Sequence, residues 1–238
     1  PLLKTGQWLR FRGRFFQAAK GKMLLLYAIH GVNPPLKRMD KEEEKRTEFC
    51  VFTEESELTS IVGIEEIMRL AACFGHKAIA ITDKNSLRAL PQALREAEKR
   101  GLQLIAGFYT HLLRDKRYPI ILLAKNQKGV LALNALLTIA YENDAIHPFL
   151  REAQFVPYRD SILLGAANDG EPESVIKEKR KVWHNCYDYW QILPDKDPQV
   201  MQQLLVLAKE QKVPLIVSNE VCYIHPTDME AWQLLGAG

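Results

Sequence analysis

Gly63-Ile-Glu-Glu-Ile-Met-Arg-Leu-Ala-Ala-Cys-Phe-Gly-His-Lys-Ala-Ile-Ala-Ile-Thr-Asp83 is the stretch on which the fold turns. It reads as an amphipathic helix over 63–74 that delivers the chain into a short apolar strand, Ala78–Ile81. Upstream, Phe49–Phe52 reads as another strand. Downstream, a helix over 86–100 leads into a third strand at Gln103–Phe108. Strands alternating with helices imply a parallel sheet or barrel, because each helix carries the chain back across the sheet.

The alternation continues with a strand at 119–124, a helix at 127–141, strands at 161–165 and 184–192, a helix at 197–211, a strand at 214–217 and a last helix from about 226. Some seven repeats favour a distorted parallel (β/α)7-type barrel over an open sheet. Residues 142–160 and 168–182 read as irregular or weakly helical, the kind of segment that forms a barrel rim.

The 238 residues are 47% hydrophobic and 26% charged, enough for one large α/β domain with a small appendage. No run of apolar residues is long enough to span a membrane and the first residues lack a signal-like apolar core, so a cytoplasmic location is expected. Cys50, Cys73, Cys186 and Cys222 are far apart with no CxxC pair, which argues against a disulfide scaffold and against a zinc ribbon.

The net charge of +3 is uneven. Residues 1–40 hold eight basic side chains against Asp40 alone, a net +7 that leaves −4 for the remainder. Within this opening, Gly6–Gly13 alternates Trp8, Arg10 and Arg12 with Leu9 and Phe11 as a half-buried strand does, and a second apolar strand follows at Met23–Ile29. Pro34-Pro35 stops it, and the charged run Lys41–Arg46 reads as a linker. We therefore expect a small basic β module over 1–40, a linker over 41–47 and the barrel over 48–238. Trp8, Arg10, Arg12, Arg14, Lys20 and Lys22 are its candidate nucleic-acid contacts, joining a stacking ring to phosphate-binding cations. The same aromatics also suit the module's own small core, and both readings stand open.

With these elements in place the sequence resembles the α subunit of bacterial DNA polymerase III of the PolC type. Leu3-Lys-Thr-Gly-Gln-Trp-Leu-Arg-Phe-Arg-Gly13 is similar to the opening of that family's oligonucleotide-binding (OB) fold, and Glu44-Lys-Arg-Thr-Glu48 to the lead into its polymerase-and-histidinol-phosphatase (PHP) domain. Gly75–Asp83, Leu122–Gln127 and Val217–Pro226 resemble successive PHP motifs in order. The resemblance implies a DNA-replication chain whose partners are the rest of the polymerase, DNA and other replisome subunits. The polymerase's own carboxylates would lie beyond Gly238. PolC carries an exonuclease inserted near Thr110–Arg117, and only those eight residues stand in that place here.

PHP domains bind metal through histidines, carboxylates and a cysteine at the barrel mouth. The resemblance places Cys50 and Phe52 where the first histidines belong, Lys84 where Thr-Asp-His ends, and Tyr109, Pro119 and Asn168 where a glutamate, a histidine and a cysteine belong. Glu220-Val-Cys222 stands for the closing Asp-Val-His. No catalytic residue and no cofactor is expected from this set. The alternative is a divergent phosphoesterase, or one zinc ion held by Cys50, Glu220 and Cys222, while a third reading is a free-standing binding module. The plainer view of the two thiols is that they fill the space of lost imidazoles. For Lys84 two readings stand: its ammonium replaces metal charge beside Asp83 or Glu220, or it extends into water.

Overall fold

The computed structural model describes residues 8–18, 21–32, 40, 42–56, 58–167, 187–193 and 198–235. The chain divides into two compact units, Pro1–Glu42 and Glu43–Gly238.

In the first unit, strands β1 (Trp8–Ala18) and β2 (Gly21–Val32) form one long antiparallel hairpin. Arg12 faces Ala28 and Gly13 faces Leu26, so Tyr27 is an extra residue that bulges β2. Leu25, Leu26, Tyr27 and Ile29 are all exposed, as are Arg12 and Arg14.

The second unit is built on a six-stranded sheet in the order β3 to β8: Ala78–Ile81, Gln103–Leu113, Arg117–Ala124, Ile162–Ala166, Tyr189–Ile192 and Leu215–Val217. The segment 48–52 joins the two edges of this sheet. Glu48 bridges Ile79 on β3, and Val51 bridges Val221 just past β8. The Phe52 amide donates to Val221 and the Val221 amide to Cys50, at 3.0 and 3.1 Å. An α/β barrel is what the repeating pattern implied. The expected strand at Phe49–Phe52 is present as these bridges rather than as a regular ladder.

Strand directions are mixed. β3–β4, β6–β7 and β7–β8 are parallel, but β5 runs antiparallel to both β4 and β6. Here β4 continues to Leu113, well past the expected Phe108, and pairs Leu113 with Arg117 across Arg114-Asp115-Lys116. Thr110–Arg117 is thus a continuous hairpin. Its end is held to the rim by ion pairs of Arg114 with Glu152 and Arg117 with Asp144, and by the guanidiniums of Arg117 and Arg151 over the Phe149 ring.

Helices α1 (Ile64–Cys73) and α2 (Leu90–Arg100) bury Ile64, Met68, Ala93 and Ala97 against Ile79, Ile81 and Val51. α2 starts four residues later than expected, with Pro91 in its first turn, where a missing N–H is harmless. It stops at Gly101, whose φ of 67° suits glycine. Helix α3 (Gln127–Asn143) is capped by the Asn126 side chain, which accepts from the Gly129 amide, and lays Leu133, Leu136 and Ala140 on Phe108, Ile120 and Leu122. A short α4 (Glu152–Phe155) lies in the stretch expected to be irregular or weakly helical, and α5 (Pro198–Gln211) and α6 (Met229–Leu235) complete the unit. None of the described helices is long and apolar enough to cross a membrane.

Candidate functional site

Four of the positions singled out in the sequence come together. Cys50 and Phe52 on the edge-joining segment, Tyr109 on β4 and Cys222 after β8 share one buried cluster with Ala80, Ile121, Leu123, Ala167 and Tyr189. Phe52 stands edge-on to Tyr109, ring centroids 5.5 Å apart, and Tyr109 stands edge-on to His111 at 5.9 Å. Pro119 is buried on β5 opposite His111. The cluster thus joins two thiols to the rings of Phe52 and Tyr109 and to aliphatic side chains.

Both thiols are buried. Burial pushes the Cys50 thiol well above its ordinary range, and the nearby Glu220 carboxylate pushes it further. The same two causes push Cys222 up to about 12. Metal binding needs thiolates, and without a metal ion this environment favours the protonated form. Glu220 is part-exposed and lines a cavity of about 480 Å³ with Asn219, Cys222, Tyr223 and Trp232. Among the described residues, no three His, Cys, Asp or Glu side chains are placed to hold a metal ion. The described donors alone do not make up a multinuclear hydrolytic centre.

Asp83 is 1% exposed, and its charge is met by neutral donors. Its carboxylate accepts from the Thr53 amide at 2.6 Å, from the Thr53 hydroxyl and from the Ser56 hydroxyl at 2.6 Å. Burial still raises its pKa, with the hydrogen bonds pulling the other way. Ser56 in turn accepts from the Lys84 backbone amide at 2.9 Å, while the Lys84 side chain is exposed. Of the two readings of Lys84, the geometry supports the extended one.

Sequence reasoning missed a second buried acid. Glu48 is 9% exposed and accepts from the Ser218 hydroxyl and the Asn219 amide, with Arg46 at 3.0 Å on its other oxygen. It clasps the start of the barrel to the end of β8, and burial raises its pKa as well. No spacing pattern links Glu48 to Ser218 across 170 residues.

Of the remaining candidates, Arg12 and Arg14 are exposed on β1. Trp8, Arg10 and Lys22 lie in the hairpin strands with only their backbones described. Lys20 and Asn168 fall outside the described residues.

The family model of the PHP domain matches residues 50–198, well over half of the chain, beginning at Cys50 itself. This chain belongs to the PHP domain family. Its PHP region is homologous to that of PolC-type DNA polymerase III: a Staphylococcus saprophyticus PolC is 36% identical over 115 residues, and a Lactococcus lactis PolC 36% identical over 121. Those matches cover 48% and 50% of this chain but only 8% and 7% of the relatives.

Solved structures share the fold. An amidohydrolase from Chromobacterium violaceum, with bound sulfate and no metal, superposes with a TM-score of 0.59 at 10% identity, covering 79% of this chain and 96% of that one. A protein of Bifidobacterium adolescentis assigned as a metal-dependent phosphoesterase gives 0.56 at 12% identity, over 74% of this chain and 87% of that one. At such identities the likeness is one of fold alone.

Proposed function

We propose that this chain is the N-terminal region of a replicative DNA polymerase III α chain of the PolC type, in which the PHP barrel serves as a metal-free scaffold. The observation that carries the reading is the closure of Cys50, Phe52, Tyr109 and Cys222 into one apolar cluster where PHP domains gather ligands. Four inward positions that offer packing in place of coordination suit a domain retained for its shape. The parent chain would act in the cytoplasm as a DNA-directed DNA polymerase, with DNA and other replisome subunits as partners.

The basic hairpin is, in this reading, part of an OB-like module. Exposed Arg12, Arg14 and Tyr27 offer charge and a ring to a single strand, the combination that recognises backbone and base together. Binding of this kind is weak and salt-dependent, and Arg12→Ala with Arg14→Ala should lower the slope of log K against log salt by about 0.7 per arginine. A slope unchanged by both substitutions would remove the hairpin from the DNA contact.

The test of the scaffold is hydrolysis. The chain supplied with zinc or manganese and p-nitrophenyl phosphate should turn over no faster than the same solution without protein. Metal-dependent hydrolysis that disappears in Glu220→Gln would overturn the proposal.

A further inference from the structure

One polar atom inside the apolar cluster is left over by the packing. Tyr189 is 3% exposed, and its buried hydroxyl meets no hydrogen-bond partner among the described residues. The phenol lies against β6, where a Cβ on Gly165 would overlap both its Cζ and its hydroxyl oxygen. The hydroxyl sits on the axis about which the ring turns, so ring rotation does not carry it to solvent. A phenol held in this way has given up its hydrogen bonds to water with nothing in return, which is unfavourable. Burial pushes the hydroxyl far above its ordinary pKa, with Cys50 and then Asp188 adding to the shift, so it keeps its hydrogen to donate. The same cluster holds two further weakly polar groups, the buried thiols of Cys50 and Cys222. Cys50 is near enough to act on the Tyr189 hydroxyl, and Cys222 near enough to act on Cys50.

We propose that the cluster binds one buried water molecule, which accepts the hydrogen of the Tyr189 hydroxyl and bridges it to the Cys50 thiol. A buried water needs more than one polar partner and room to stand, and it settles on groups that the protein leaves unmet. The partners are the hydroxyl and the thiol, a weak donor and acceptor. The room follows from size, since thiols at 50 and 222 are smaller than the imidazoles that the family resemblance places there. Immobilising one water costs less than leaving a phenol hydroxyl unmet. The inference rests on the metal-free reading above, because a metal ion would take Cys50 as thiolate and fill the same space.

The test is a crystal structure of the 238-residue chain at a resolution that orders internal water, with anomalous data recorded above the zinc edge, together with thermal melting of Tyr189→Phe. The map should show one water about 2.7–2.8 Å from the Tyr189 hydroxyl oxygen, with no anomalous peak. Tyr189→Phe keeps the ring on Gly165 but deprives the water of its donor, and should melt several degrees below the native protein. The map needs no variant, so a misfolded Tyr189→Phe would not decide the matter. A protein group or no density beside the hydroxyl overturns the water site and leaves the scaffold standing, and so does a Tyr189→Phe variant that melts at or above the native temperature. An anomalous metal peak at Cys50 overturns both.

Discussion

The ring of Phe52 meets the ring of Tyr109 edge to face, centroids 5.5 Å apart and planes 78° to one another. The edge of one ring, slightly positive, points at the negative face of the other, a geometry worth about 0.5–1.5 kcal/mol beyond the area it buries. In the proposed reading, this packing performs the closure that coordination performs in metal-binding PHP domains.

Phe52→Ala should therefore destabilise the fold strongly. Phe52 is 4% exposed, and removing a buried phenyl costs about 3–5 kcal/mol through lost transfer energy and the cavity left behind. Urea denaturation followed by far-UV circular dichroism measures it. A loss below about 1 kcal/mol, the range of a surface substitution, would mean that the ring does not close the barrel mouth.

Gly165 tests the packing one strand further round. It pairs with Tyr189 across parallel β6 and β7, and a Cβ at this position would lie 2.1 Å from the tyrosine ring. Gly165→Ala should cost roughly 1–3 kcal/mol or more by overpacking. In a Tyr189→Leu background the same substitution should cost less than half as much, because the clashing ring is gone. Equal costs in both backgrounds would place the clash elsewhere.

Glu48 sets a pH dependence. Burial lifts its carboxyl above the ordinary 4.5, so the folded state holds this proton more tightly than the unfolded chain does. The stability that this group contributes is full below its unfolded value and is lost as pH rises through its raised folded value. Glu48→Gln removes the titration while keeping an oxygen for Ser218. The stability of the native protein relative to Glu48→Gln should therefore decline as pH is raised from about 4 towards neutrality. A difference that grows with pH would show that the Arg46 pair and the hydrogen bonds from Ser218 and Asn219 outweigh burial.

Much of the barrel was legible because its elements obey local periodicity. Ala78–Ile81 is found where its apolar run lies, and α1 and α3 fall within two residues of the expected spans. The reversal of β5 was not legible. Arg114-Asp115-Lys116 has none of the Asn-Gly or Asp-Gly character that announces a tight hairpin, and the apolar run Tyr118–Ala124 reads the same in either direction.

The site divides in the same way. Of the eight positions that family resemblance pointed to, the fold gathers Cys50, Phe52, Tyr109 and Cys222 in one buried cluster, while Lys84 is exposed and Asn168 lies outside the described residues. What satisfies Asp83 was hidden, since its donors Thr53 and Ser56 lie 30 and 27 residues away, and a search for a cation turned to Lys84 because it is adjacent in sequence. Small hydroxyl residues carry no spacing signal for such long-range hydrogen bonds, and neither does the Glu48 to Ser218 clasp.

The central claim is that packing has replaced metal at the barrel mouth. Elemental analysis and thermal melting of protein purified under reducing conditions, with and without a strong chelator, test it most directly. The account predicts no stoichiometric metal and the same melting temperature in both samples. Stoichiometric zinc together with a chelator-induced drop of several degrees would contradict it and make Cys50, Glu220 and Cys222 ligands after all.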